Sequence, residues 1–382
     1  MRFSVKLSCA ALATCICGSA LTGTARAQSQ SISAPRGESA ETLTYWTAER
    51  LKTAKPKSLT PTTPFSPSTA VAAAPTGPGG GMAGSAASAA HDESLTIKLY
   101  DVSDTDTDLM LPPAVSPAAV GTTKYPYTIN RLYPTAGSTT SNNFTFYPYQ
   151  IVGQLFFTEP SGDFLCSASV IRPSVIATAG HCVADGKGHF YTHWLFVPAL
   201  HAGVAPYGRW NWAQVFVAGP WWNGGGSVPN RQDDALIVLT PNSSNQKIGQ
   251  LTGYLGFQYN SPLPNHLTQL GYPCNLDGCN DPVQNDSQVY SGPNNNFEWG
   301  TAAFGGASGG PEIQDFGQKP SGGPPPSEAF GGNVLISSTS YTYGSGAQVD
   351  GGSILAAPGQ FGGSLNTFGD LMNAACAAPG NC

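Results

Sequence analysis

Phe164-Leu165-Cys166-Ser167-Ala168-Ser169-Val170-Ile171 and Val175-Ile176-Ala177-Thr178-Ala179 are separated only by Arg172-Pro173-Ser174. Both runs are short, rich in β-branched and apolar residues, and bounded by turn formers, which reads as two strands. Working outward, the same texture recurs. Strands are expected near 150–158, 164–171, 175–179, 194–199, 212–218 and 235–239, and a second set near 267–272, 288–291, 296–302 and 334–341. Gly, Pro, Asn and Asp clusters separate them. Two successive groups of short strands, about six and at least four, fit an all-β chain of two packed barrels. The end of the chain differs: Ser364 is a good helix N-cap. Leu365, Phe368, Leu371, Met372 and Ala375 then recur at helical spacing, predicting a terminal helix packed on a barrel.

The 382 residues include 46 Gly and 32 Pro, and only 10% are charged. That composition suits a turn-rich β chain with unstructured portions. A formal charge of −6, with no run of Lys or Arg, argues against nucleic acid as a partner. Arg2 and Lys6 precede an apolar run from Leu7 to about Leu21, and Ala25-Arg26-Ala27 follows. This predicts a secretory signal at 1–27, cleaved after Ala27, with no membrane attachment afterwards. A lipid anchor on Cys15 is disfavoured by the Thr14 before it.

Cys9, Cys15 and Cys17 would leave with the signal. Six cysteines remain, and an even count in an exported chain reads as three disulfides. Of fifteen possible pairings, the separations favour Cys166–Cys182, Cys274–Cys279 and Cys376–Cys382. There is no Cys-x-x-Cys and no zinc-type His spacing, so no metal or other cofactor is expected. Residues 28–143 read as a propeptide or low-complexity region. Up to about 90 it is rich in Ala, Ser, Thr, Pro and Gly, with too little apolar surface to offset ordering entropy. One strand is expected near 95–100. Asp104 to Asp108 resembles the start of a calcium loop but lacks the Gly and terminal Glu, so it reads as a solvated acidic turn.

Three segments carry chemistry: Thr178-Ala179-Gly180-His181-Cys182, Asp233-Asp234-Ala235-Leu236-Ile237, and Gly305-Gly306-Ala307-Ser308-Gly309-Gly310-Pro311. At these residues the chain resembles the trypsin/chymotrypsin-like serine peptidases, most closely their bacterial glutamyl-endopeptidase-like branch. The resemblance covers about 145–382. It implies a chymotrypsin-like double β-barrel with a C-terminal helix, preceded by a largely disordered propeptide. The peptidase domain would be 144–382, with barrels at about 144–250 and 251–382. It also implies a catalytic triad of His181, Asp233 and Ser308, in the family's order. Ser308 would attack the carbonyl and His181 would take and return its proton. Asp233 would fix the imidazole tautomer, and the backbone N–H groups of Gly306 and Ser308 would form the oxyanion hole. Asp234 is the rival acid. The family's spacing favours Asp233 and leaves Asp234 as a solvated or supporting group. The Cys166–Cys182 bridge has a counterpart in the family. His91, His189, His193, His201 and His266 lack such context and read as surface or packing residues.

The chain departs from the family at two places. Ala307 stands where trypsin-type enzymes place the Asp that receives a new amino terminus, so maturation must proceed by removal of a masking propeptide or by its folding assistance. A cleavage point between about 110 and 148 is expected. Ala302 stands where trypsin-like members place an acid, which disfavours cleavage after Arg or Lys. Residues 336–341 contain no His, which argues against cleavage after Glu. Ala302, Ala303, Ser340 and Tyr341 are the expected substrate-binding residues, and the insert at 319–332 overhangs the cleft. The expected product is a secreted (extracellular or periplasmic) monomeric peptidase acting on proteins or peptides, with its own propeptide as a partner. An esterase or transacylase with the same triad, or an idle adhesion module on the same fold, are the alternatives.

Overall fold

The computed structural model describes Met1 and residues 30–67, 77–89, 91–102, 125–132, 145–262, 266–318 and 331–382. The expected signal peptide, the acidic turn at 104–108 and most of the insert at 319–332 lie outside the described residues.

Six strands build the first barrel: Val152–Glu159, Gly162–Arg172, Val175–Ala179, Thr192–Pro198, Trp210–Val217 and Asp234–Leu239. Every pairing among them is antiparallel, and Trp210–Asn211 against Phe196–Leu195 closes the ring. Val170, Ile176 and Ile237 stand in register on three neighbouring strands, and all are fully buried. Such β-branched cross-strand pairs both fill the barrel and fix its register.

The second barrel uses Leu267–Gly271, Val283–Ser287, Val289–Gly292, Asn296–Gly300, Pro311–Gln314, Val334–Thr342 and Val349–Ser353. Its sheet curls without closing by strand pairing. Side chains bridge the seam: Gly300 N–H donates to Ser287 Oγ at 3.0 Å, and Asn285 Nδ2 donates to Gly300 O at 3.0 Å. Leu267, Phe297, Trp299 and Ile336 fill a core of its own. The fold is therefore the expected all-β double barrel. All ten strands expected for the barrels form, with ends shifted by a few residues at most.

Strands Val283–Ser287, Pro311–Gln314 and Val349–Ser353 were not expected. The terminal helix is shorter than its pattern, running Phe368–Ala375. Its N-cap is Thr367 rather than Ser364, because Asp370 completes a capping box with Thr367. The short strand expected near 95–100 shrinks to Ile97–Lys98, paired with Val204–Ala205.

Part of the amino-terminal region departs from the expectation that residues 28 to about 90 bury too little apolar surface to order. Ser31–Ser33 pairs antiparallel with Gln214, Val215 and Phe216 of the strand Trp210–Val217, past the point where Trp210 and Asn211 close the ring. Helices Glu38–Tyr45 and Ala48–Thr53 follow. Between them Trp46 is 1% exposed, and its Nε1 donates to His193 O at 2.6 Å. Lys55–Pro56 runs parallel to Phe164–Leu165, Gly80–Met82 pairs with Phe257–Tyr259, and Tyr127–Arg131 pairs with Val283–Ser287. The composition misleads because the docking rests on a few large side chains and on backbone pairing. Neither needs a hydrophobic pattern.

Candidate active site

The site lies between the barrels, and each part is held by its local backbone. Val175–Ala179 delivers a tight turn, Gly180–Cys182. Gly180 has no room for a side chain there, since a Cβ would lie 2.7 Å from the Trp221 ring and 2.9 Å from Asp233 Oδ1. The Cys166–Cys182 disulfide ties this turn to the neighbouring strand. The other two bridges, Cys274–Cys279 and Cys376–Cys382, also form as the separations suggest. Cys166, His181 and Cys182 lie close together, but both sulfurs are consumed in the bridge and offer no metal ligands.

Asp233 ends the loop just before the strand Asp234–Leu239 and is fully buried. Its Oδ1 accepts from His181 N–H at 2.8 Å, and its Oδ2 accepts from His181 Nδ1 at 2.7 Å. Ser340 Oγ donates to the same Oδ2 at 2.6 Å. Asp233 N–H in turn donates to Ser353 Oγ at 2.9 Å. A carboxylate only accepts, so this network assigns the imidazole proton to Nδ1 and leaves Nε2 with its lone pair. Nε2 is buried and has no partner among the described residues. An imidazole so clamped is a base with one open position.

The turn carrying Ser308 is pinned from both barrels. Ser308 O accepts from Ser167 N–H at 2.7 Å, and Gly309 N–H donates to Thr339 O at 2.7 Å. Ser167 Oγ donates to Gly306 O at 2.8 Å and accepts from Tyr272 N–H. Gly309 has φ +77°, and a Cβ there would lie 2.1 Å from Thr178 Oγ1 and 3.0 Å from Ala179 N. The glycine after Ser308 is thus pressed onto the strand that leads into His181, and nothing larger would allow that approach. Ser308 itself is 5% exposed.

Of the two aspartates, Asp233 is the one that hydrogen-bonds His181. Asp234, one residue on in an extended strand, points away from Asp233. Of the two roles expected for it, solvated or supporting, the solvated one is excluded: it is 1% exposed and neither carboxylate oxygen has a partner among the described residues. Burial, with the Asp233 charge adding to it, holds its carboxyl well above the usual range.

The expected substrate-binding residues have mixed fates. Ala302 and Ala303 are buried, with Ala302 O accepting from Asn275 Nδ2 at 2.8 Å. Ser340, expected on the substrate, turns its hydroxyl onto Asp233. Tyr341 turns inward and donates to Glu298 Oε1 at 3.1 Å. Gly306 N–H, an expected oxyanion donor, donates to Lys57 O at 3.2 Å.

A buried polar network nearby was missed from sequence. Thr339 Oγ1 donates to Glu312 Oε1 at 2.6 Å, Gln269 Nε2 donates to Thr339 Oγ1 and Asp350 Oδ2, and Thr301 Oγ1 donates to Gln269 Oε1. Burial pushes Asp350 up to about 8. The only sequence signal for this network is polar residues inside β runs. The remaining histidines have partners elsewhere, His189 with Asp185, His201 with Asp281, His266 with Asp286 and His91 with Glu93, while His193 stacks on Tyr45 at 3.9 Å.

No family model matches the chain. A glutamyl endopeptidase from Bacillus licheniformis is 26% identical over 229 residues, covering 58% of this chain and 66% of that protein. The chain thus spans just under two thirds of the curated relative it matches. Similar solved structures include the thermostable serine protease AL20 from an extremophilic microorganism, 24% identical with TM-score 0.45, over 54% of this chain and 91% of that one. The protease Anisep from Arthrobacter nicotinovorans is 28% identical with TM-score 0.45, over 54% and 90%. A Glu endopeptidase in complex with MPD is 19% identical with TM-score 0.47, over 65% and 97%. In its motifs and over the 229 residues aligned with the Bacillus licheniformis enzyme, the chain is similar to the bacterial glutamyl-endopeptidase-like serine peptidases.

Proposed function

We propose that the chain is a secreted serine endopeptidase that cleaves proteins or peptides through an acyl-enzyme, with Ser308 as nucleophile, His181 as general base and acid, and Asp233 as its orienting acid. The observation that carries this reading is the two-point grip of Asp233 on His181, which leaves Nε2 as an open base, while Gly309, next to Ser308, packs on Thr178 and Ala179 of the strand that leads into His181. As Ser308 Oγ attacks the substrate carbonyl, its proton passes to Nε2 and then to the leaving amine. Asp233 stabilises the imidazolium without taking the proton. The N–H groups of Gly306 and Ser308 receive the developing oxyanion, each worth about 3–4 kcal/mol in enzymes of this kind.

In this reading residues 1–27 are a signal, 28–143 accompany maturation, and 144–382 form a monomeric peptidase domain. Export fits three disulfides, and no helix among the described residues is long and apolar enough to cross a membrane. Ser308→Ala should fold and be exported but lose nearly all casein hydrolysis. Residual activity above about a hundredth of wild type would refute the assignment, since loss of a triad member costs far more.

A further inference from the structure

Residues 55–65 lie across the candidate site, and their contacts are those a bound peptide would make. Lys57 N–H donates to Leu165 O at 2.9 Å, next to the bridge cysteine Cys166. Lys57 O accepts from Gly306 N–H, the oxyanion donor, at 3.2 Å. Two residues on, Leu59 O accepts from Thr342 N–H at 2.9 Å, at the end of the strand that carries Ser340. Main chain is thus bound at three points, from the first barrel through the nucleophile turn to the second. Pro56 covers Gly305, with its Cβ 3.4 Å from where a Gly305 Cβ would stand.

Side chains fasten the segment at both ends. Lys57 Nζ meets Glu159 Oε2 at 2.6 Å and sits over the Phe164 and Tyr191 rings at 5.1 and 5.3 Å. Burial alone would raise the Glu159 carboxyl, yet the Lys57 ammonium and the Ser161 hydroxyl outweigh it and hold it below its usual range. Pro61 is buried. Beyond it Phe65 packs on Tyr125 and Tyr343, with ring centroids 5.3 and 5.1 Å away. With the segment in place His181 is 1% and Ser308 5% exposed.

We infer that residues 55–65 are an autoinhibitory strap that fills the peptide-binding cleft and holds the intact chain latent. The inference rests on the peptidase reading above and deepens it. It also names the cleft's ligand class: extended peptide main chain, bound by Leu165 O, Gly306 N–H and Thr342 N–H. Because the strap is part of the same chain, it competes with substrate at a fixed effective concentration that dilution does not lower. An external peptide reaches that level only in excess.

The test uses the full exported chain, with its amino-terminal segment confirmed intact by mass, beside Lys57→Glu and Phe65→Ala. Lys57→Glu sets a second carboxylate against Glu159, and Phe65→Ala removes the far anchor without touching the cleft. Casein hydrolysis and fluorophosphonate labelling of Ser308 are both followed. The intact wild type should digest and label slowly, and each variant at least tenfold faster. A synthetic peptide of residues 54–66 should inhibit the Lys57→Glu chain competitively. Equal rates for intact wild type and both variants would overturn the strap while leaving the peptidase reading standing. So would self-cleavage of the wild type at Lys57–Ser58 without a lag. If no form digests casein or labels, the serine-nucleophile reading fails, and the strap with it.

Discussion

Asp234 should destabilise the protein it sits in, and replacing it should make the fold stronger. Its carboxyl group is 1% exposed, and neither oxygen has a hydrogen-bond partner among the described residues. Burying such a group unpaired costs about 1–3 kcal/mol in mutational series. Asp234→Val removes that cost and places a β-branched residue within the strand Asp234–Leu239, where such residues pack well. With roughly 2–4 °C of Tm per kcal/mol for a domain of this size, the gain at pH 7 should be about 2–12 °C. The pH dependence fixes the cause. Burial and the neighbouring Asp233 raise the folded-state pKa of Asp234 above its unfolded value. Wild-type stability is therefore complete below the ordinary carboxyl range near 3.9 and declines as pH rises above it. The Tm difference between Asp234→Val and wild type should accordingly be widest at pH 7 and narrow toward pH 4. Calorimetry of both forms in a Ser308→Ala background, which prevents self-digestion, measures it. A lower Tm for Asp234→Val at pH 7, or a difference that does not change with pH, would refute the reasoning. Either result would mean that the carboxylate is held by a partner.

Asp233→Asn replaces an acceptor that faces His181 Nδ1 and Ser340 Oγ, so turnover should fall by roughly four orders of magnitude through the wrong imidazole tautomer. Asp234→Asn should cost tenfold or less, and the reverse ranking of the two turnover numbers would hand the role to Asp234. Ser340→Ala deletes one donor to Asp233 and should lower kcat by about ten- to a hundredfold with KM little changed, since hydrogen bonds to charged groups contribute about 1.5–3 kcal/mol. A change confined to KM would place Ser340 on the substrate instead. Cys166→Ser with Cys182→Ser should lower unfolding free energy by about 2–5 kcal/mol, read by urea titration of the Ser308→Ala chain. On the proposal that Ala302 and Ala303 line the first subsite, whose strand carries no His, that subsite should prefer an uncharged side chain. A peptide-library profile dominated by Arg, Lys or Glu before the cut would contradict that.

The sequence was most informative where side-chain chemistry and local backbone constraint coincide. The segments around His181 and Ser308 each combine a reactive residue with glycines that their turns require, and both were legible. The strands of the first barrel were legible as well, because runs such as Val175–Ala179 are apolar on both faces. Val283–Ser287 was not, since Gln284, Asn285 and Asp286 place polar groups at every inner position of the strand. Asn285 is buried only because Gly300 O accepts from it across the seam. Val349–Ser353 hides behind Gly351 and Gly352, which are there because the Tyr341 ring and Ser338 O leave no room for a Cβ. The Ser340 hydroxyl and Lys57 carry no local signature, because what they do depends on partners about a hundred or more residues away. Composition similarly concealed Trp46, a single anchor within an Ala- and Thr-rich stretch.

The docked arm upstream of the strap changes what a proteolytic cut accomplishes. Ser31–Ser33 extends the first barrel's sheet, Trp46 is sunk into its core, and Arg50 and Tyr45 both hold Asp163, at 2.6 and 2.7 Å. A nick after Lys57 would therefore release nothing. The new carboxyl end would stay moored beside Gly306 and rebind as a unimolecular event, independent of protein concentration. Freeing the cleft would take either a second scission upstream of Lys55 or local melting of the arm from the barrel. Activation would then behave as a two-hit process: a lag follows the first cut, dilution does not shorten it, and its length follows the opening rate of the moored arm.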